Sequence, residues 1–322
     1  MVGRLRTTDM KALLLIPAAV LCAALGFLIA SCGDDEATSA GPVPSVTEEE
    51  QPAAETVGPE GTLPATSPTE TAPESTAIPE GTITYEVWFT HGEPVFVTYR
   101  TQDRTPAVGR AALEALLAGP DSFERGYGLG TQIPDGTQLL GLTIADDGVA
   151  HVDLTSEFES GGGALSMQTR LAQVVYTLTQ FPTVQGVLFR LDGQPVKVIG
   201  GEGVVVDRPL RRRDFAEFLP PILVTSPALG QTVESPVVVR GSANVFEANV
   251  SVQVLDSAGK EIASTFTTAT CGSGCRGTYA VPVPYEVDEE QEGTIVVHDD
   301  DAAGSGRPPH EVRIPVTLTP GR

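Results

Sequence analysis

Residues 138–154 read QLLGLTIADDGVAHVDL. Two apolar, partly β-branched runs, Gln138 to Ala145 and Gly148 to Leu154, flank Asp146-Asp147-Gly148. An Asp-Gly step between such runs is a strong signal for a tight antiparallel hairpin. Upstream, Thr82 to Thr90 (TITYEVWFT) and Pro94 to Arg100 (PVFVTYR) give a second hairpin around His91-Gly92. Thr105-Pro106 then predicts a helix start, with Val108, Ala112, Ala115 and Leu116 as its apolar stripe and Gly119-Pro120 as its stop. Downstream, about Ala164 to Phe181 reads as a helix with Leu171, Val174, Val175 and Leu178 on one face and Pro182 at its end. Val184 to Leu191 and Val196 to Ile199 follow as strands around Asp192-Gly193. The packing these elements permit is a mainly antiparallel sheet with two helices on one face.

Helical periodicity is absent from residues 219–320. Short strand-like runs recur there, among them Ile222 to Thr225, Val237 to Arg240, Val250 to Leu255, Glu261 to Thr267, Thr278 to Val283, Thr294 to His298 and Val312 to Leu318. Gly and Pro separate them at the spacing of an all-β sandwich. Pro315 favours an edge or a bulge in the last strand, because it has no N–H to give a ladder.

The N-terminal segment is of another kind. Arg4, Arg6 and Lys11 lead an apolar run from Ala12 to Ala30, the layout of a secretory signal over residues 1–31. Ile29, Ala30 and Ser31 before Cys32 resemble the lipobox of bacterial lipoproteins, which implies acylation of Cys32 and a lipid anchor at the outer face of the cell membrane. The run is also just long enough to be retained as a spanning helix. Residues 33–80 hold eight prolines and eleven acidic residues with no lysine, arginine or aromatic, so residues 32–81 read as a disordered acidic tether. Its extended reach is on the order of 150 Å at about 3.1 Å per residue. A net charge of −22 is a poor basis for nucleic-acid binding, which rests on neutralising phosphates. The basic cluster Arg211 to Arg213 falls in a linker, 208–218, and reads as solvated or as a contact for anionic wall polymer.

Candidate chemistry is sparse. Cys271 and Cys275 in TCGSGCRG sit in a Gly/Ser loop of an exported chain and predict a small disulfide loop; a zinc site is the rival, lacking a second pair of ligands. His151 and Asp153, two apart on a strand, share a face, without a nucleophile in a recognisable elbow. His298-Asp299-Asp300-Asp301 is a crude calcium-like run without the D-x-[DN]-x-[DN]-G spacing. GGEG at 200–203 and GGG at 161–163 lack the lysine and Ser/Thr of a phosphate loop. The reading is therefore of no catalytic residue, no metal and no cofactor.

Three segments, AALEALLAGP (111–120), IPDGTQLLGLTIADDGVAHVDLTSEF (133–158) and RLAQVVYTLTQFPTVQGVLFRLDGQPV (170–196), resemble the GerMN domain of sporulation and spore-germination lipoproteins. SPALGQTVESPVVVRGSANVFEANVSVQVLDSAGKEI (226–262) resembles Gmad2, the immunoglobulin-like domain found beside it. The resemblance implies an α+β chain: a GerMN α/β sandwich over 82–207, then an immunoglobulin-like sandwich over 219–320. It implies protein contacts at the cell envelope and does not imply an enzyme; the reading is of a non-catalytic module for envelope proteins or cell-wall polymer, with assembly of identical copies left open. The alternatives are an accessory or regulatory subunit of a sensor kinase or wall hydrolase, and a hydrolase acting through His151.

Overall fold

A computed structural model of the chain describes residues 81–300, 304 and 306–321. The expected signal, Cys32 and the tether lie outside the described residues. The first domain opens with the hairpin of β1 (Thr82–His91) and β2 (Val95–Asp103), in register from Thr82 opposite Asp103 to Thr90 opposite Val95. Helix α1 (Val108–Leu117) and the short α2 (Ser122–Tyr127) follow, then β3 (Leu129–Gly130), which pairs with the end of β1. Strands β4 (Leu139–Ile144) and β5 (Val149–Leu154) form the hairpin expected around Asp146-Asp147-Gly148, where Gly148 takes a φ of 79°. Helix α3 (Ala164–Leu178) carries the chain to β6 (Gly186–Leu191). Three two-residue strands close the domain: β7 (Gln194–Pro195), β8 (Val198–Ile199) and β9 (Val204–Val205).

The α+β class stands, but the strands are arranged differently from the single antiparallel sheet expected. The first hairpin keeps to its own sheet, ordered β2-β1-β3, and the second sheet is ordered β4-β5-β6-β7. Within it β5 and β6 run parallel, from Val149 opposite Gly186 to Leu154 opposite Leu191. The reason is the crossover: a helix between two strands returns the chain to its starting end, so the strands point the same way. Two local expectations also shift. The Thr105 hydroxyl accepts from the Ala107 N–H in a turn that precedes α1, so the helix begins at Val108 and not at Pro106. Helix α2 was not foreseen, although its capping box is written in the sequence as Asp121 and Glu124.

Helix α3 is buried without a break from Thr169 to Leu178, which means neighbours surround it on every side. Leu171, Val174, Val175 and Leu178 join Trp88, Phe89, Leu113, Leu116 and Phe158 in the core, as their periodicity predicted. The polar face of α3 is also buried and meets the open edge of β1. Gln180 accepts from the Glu86 N–H at 2.6 Å and donates to the Glu86 carbonyl at 2.7 Å. Thr177 Oγ1 accepts from the Trp88 N–H at 3.1 Å, and Gln173 Nε2 donates to the Trp88 carbonyl at 3.0 Å. Side chains at helical spacing thus stand in for a neighbouring strand until β3 takes over at Thr90.

The second domain is the expected sandwich. One sheet is β10 (Ile222–Ser226), β12 (Val237–Ala243) and β15 (Gly277–Val283). The other is ordered β11 (Thr232–Val233), β17 (Glu311–Leu318), β16 (Gln291–His298), β13 (Asn249–Leu255) and β14 (Glu261–Thr268). Val239, Val250, Val252, Val254, Val283, Ile295 and Val297 fill the space between them. Pro315 lies inside the larger sheet by strand order, yet β11 pairs only with Thr317 and Leu318. The Pro315 carbonyl accepts from the Gly230 N–H on that side, so its donorless nitrogen faces away from β16, as an edge position requires.

Residues 208–218 are not the solvated linker expected. They wind into a 3-10 segment, Arg212–Phe218, and bury Phe215 and Phe218. The Arg212 guanidinium lies 5.5 Å from the Trp88 ring centre and 5.1 Å from that of Tyr176, and pairs with Glu86 at 3.2 Å. A cation over two rings gains more from contact than from full hydration, which holds the segment down.

Replacing Thr177 by Val keeps the shape of the side chain and leaves the Trp88 N–H buried without a partner. We expect a loss of about 1–3 kcal/mol in urea unfolding. An unchanged midpoint would mean that the helix does not serve as the missing strand.

Candidate functional site

The two domains meet along a seam built from aromatic side chains. Tyr99 of β2 donates to the Thr225 carbonyl of β10 at 2.7 Å, and Tyr127 of α2 donates to the Arg313 carbonyl of β17. Phe123 of α2 rests on Gly230, where an added Cβ would lie 2.9 Å from the ring. Only a residue with no side chain permits that approach, and its φ of 74° suits glycine as well. From the connecting segment, the Pro220 carbonyl accepts from Arg276 at 2.5 Å and the Pro221 carbonyl from the Asn244 N–H at 2.8 Å.

A cleft of about 440 Å³ opens on this seam, lined among others by His91, Phe96, Tyr127, Pro220, Val312 and Arg313. His91 stacks on Tyr127 with ring centres 4.9 Å apart and meets Phe96 edge-on at 5.8 Å. The histidine read from sequence as a turn residue is therefore a wall of this cleft. Arg313 is paired with Glu311 at 2.6 Å on the rim. Apolar rings with a few polar groups at a domain boundary are the usual make-up of a binding cleft. Sequence reasoning could not find it, because its walls come from β1, β2, α2 and β17.

The sequence-derived candidates are scattered. Cys271 and Cys275 are joined in a disulfide with Cα atoms 5.7 Å apart; Cys32 lies outside the described residues. His151 and Asp153 share the outward face of β5, opposite Thr143 and Gly141 on one side and Leu188 and Arg190 on the other. Asp153 Oδ1 accepts from the Gly193 N–H at 2.9 Å, so it serves the β6–β7 turn. Glu202 of the GGEG stretch reaches the start of α3, where its carboxylate accepts from the Ala164 N–H at 2.9 Å. The glycine loops thus place the chain's own carboxylate at a helix N-terminus. Behind it Arg170, buried by its surroundings, donates to the carbonyls of Phe158, Ser160 and Gly161. Burial pulls its pKa down.

The calcium-like run is put to structural use. Asp299 is buried, binds Arg307 at 2.7 Å and accepts from the His310 N–H at 2.7 Å, with His310 Nδ1 at 2.9 Å. Burial pushes its carboxyl up, and the Arg307 and His310 contacts outweigh that and hold it below the usual value. Asp300 bonds Ser251 at 3.1 Å; Asp301 lies outside the described residues. Glu124 behaves like Asp299: burial pushes it up, and Arg100, Thr98 and the Asp121 N–H hold it down. Among the described residues no group of three or more His, Cys, Asp or Glu side chains could hold a metal ion. No helix of the described residues is long and apolar enough to cross a membrane.

The fold is thus an α/β module bound edge to edge to an immunoglobulin-like sandwich. Residues 85–197 match the family model Germane, described as sporulation and spore germination. Residues 221–305 match Gmad2, the immunoglobulin-like domain of bacterial spore germination. The chain thus carries a Germane (GerMN-like) domain followed by a Gmad2 domain, both of the sporulation and spore-germination type and neither a known enzyme family. Among solved structures it is similar to the first GerMN domain of the sporulation protein GerM from Bacillus subtilis: 26% identity over 41% of this chain and 99% of that chain, TM-score 0.35. It is also similar to the tandem GerMN domains of GerM from the same organism: 18% identity over 74% of this chain and 61% of that one, TM-score 0.38. Comparison with the curated proteins finds no match.

All six tyrosines have phenols pushed above their ordinary value of 10.0, mainly by burial, Tyr127 and Tyr176 to about 12. The neutral phenol is favoured in the fold, so this stability is full below pH 10 and is lost as pH rises towards the folded values. A pH titration followed by ultraviolet absorbance should show little tyrosinate at pH 10 while the circular dichroism stays native. Half-ionisation there in the native state would contradict the burial of these phenols.

Proposed function

We propose that this protein is a lipid-anchored, non-catalytic binding protein of the bacterial envelope. On this reading acylated Cys32 holds it at the outer face of the cell membrane, and the acidic stretch to residue 81 spaces the body from the bilayer. The two domains recognise envelope proteins or wall polymer during sporulation or germination. The observation that carries the binding role is the use made of the perturbed acids. Glu124, Asp214 and Asp299, each held below its ordinary pKa, have their oxygens occupied by Arg100, Arg208, Arg307 and neighbouring N–H groups. Perturbed groups in enzymes are exposed to a substrate; here they brace loops and a helix cap.

A dense net negative charge also disfavours adhesion to anionic lipid by charge, so a covalent lipid is the consistent means of attachment. Expressed in a bacterium and fed an alkyne-tagged fatty acid, the full-length protein should take up label, and the Cys32→Ala variant should take up none. Equal labelling of both, or an unlabelled native product retaining Met1, would overturn the anchor.

A further inference from the structure

The outer face of the larger sheet of the second domain carries a feature that the seam does not explain. Strand β14 is the last strand of that sheet, paired on one side with β13. Phe266 stands opposite Ser251, which stands opposite His298; Ser264 stands opposite Gln253 in the next row. Alternation puts these side chains on one face. Phe266 is 70% exposed, the most exposed large hydrophobic among the described residues. A single exposed phenylalanine is unremarkable in itself. Its company is not: a trough of about 310 Å³ runs beside it, lined by Ser251, Gln253, Ser264 and His298.

The charge distribution narrows what could lie there. On a chain of net charge −22, residues 249–255 and 262–268 contain no charged side chain. The two acids at the margin are engaged, Glu261 with Gln253 at 2.8 Å and Asp300 with Ser251 at 3.1 Å. Ser264 Oγ, Gln253 Oε1 and His298 Nε2 have no hydrogen-bond partner among the described residues. The face therefore offers one flat ring and several groups able to donate or accept, with the Asp300 carboxylate 3.6 Å from His298 Nδ1 at its margin, within an otherwise acidic body.

We propose that this face binds a neutral polysaccharide strand, with Phe266 as its stacking platform. A pyranose ring presents a face of C–H bonds whose slightly positive hydrogens suit the negative face of an aromatic ring. Its hydroxyls, each both donor and acceptor, match the serine, amide and imidazole groups in the trough. An anionic polymer is repelled by the surrounding charge, and the two strands offer a basic peptide a single carboxylate, that of Glu261 at the margin, which already accepts from the Gln253 amide. A peptide added along β14 would use the backbone edge and has no need of a ring on the face. The inference rests on the binding role above and names the ligand class and the surface for it.

The test is calorimetric titration of the full-length chain, purified in detergent, with chitohexaose, cellohexaose, laminarihexaose and maltohexaose. Saturable binding to at least one is expected, insensitive to salt because no ion pair forms. Phe266→Ala should weaken it by about tenfold or more, whereas Phe266→Trp, which keeps a ring, should retain it. Circular dichroism should report an unchanged fold for both, and Gln253→Ala serves as an independent weakening variant. Failure of every oligosaccharide to bind would overturn the proposal, as would equal binding by the Ala variant. A Phe266-dependent dimer in sedimentation would also overturn it, by assigning the face to a second copy. None of these outcomes alters the labelling of Cys32, which reports on the anchor alone.

Discussion

The exposed backbone of β1 is what the first domain must satisfy before anything else can pack. One side of the strand is met by β2; the other offers Glu86 and Trp88 no strand partner before β3 begins. A buried peptide group without a partner is costly, and here Gln173 and Thr177 of α3, with Gln180 just beyond its end, supply the bonds. Gln173 and Thr177 are fully buried for that purpose. The same contacts fix α3 against the hairpin, and α3 in turn sets the direction of β6. Gln173 also accepts from the Gln132 N–H at 3.0 Å, tying in the loop that follows β3. One helix face thus orders both sheets.

The segment that leads to the second domain is fixed on this arrangement by Arg212. Its guanidinium lies over Trp88 and Tyr176, bonds Thr179 at 2.9 Å and donates to the Tyr176 carbonyl at 2.9 Å. With Phe215 and Phe218 inserted into the core behind it, the connection is a packed element. The tyrosine bonds of Tyr99 and Tyr127 then hold the sandwich against α2 and β2. The cleft at the seam and the neutral face of β13 and β14 keep fixed places on one body. Rigid presentation lowers the ordering cost of engaging a large partner.

Much of the architecture is legible in the sequence because it is encoded locally. The Asp-Gly turns, the apolar stripe of α3 and the alternating strands of the sandwich all have patterns that neighbouring residues decide. The parallel pairing of β5 with β6 was not legible, since strand direction depends on where α3 packs. Asp121 and Glu124 spell a capping box, yet six residues give too short a periodic signal to mark a helix. Arg211 to Arg213 look alike in sequence, and only Arg212 meets two rings. Cys271 and Cys275 could be paired from their spacing; the walls of the cleft could not, because residues far apart in the chain build it.

The sequence by itself determined the longer strands and the two long helices, their two-domain grouping, the acid-rich character of the chain and the families its domains resemble. These depend on composition and on contacts within a few residues. Tertiary structure alone decided which polar residues of α3 are buried, that Asp299 and Glu124 act as braces, and that Phe266 stands open on an uncharged face. A side chain's surroundings are set by elements distant in sequence, and those surroundings fix both its energy and its use.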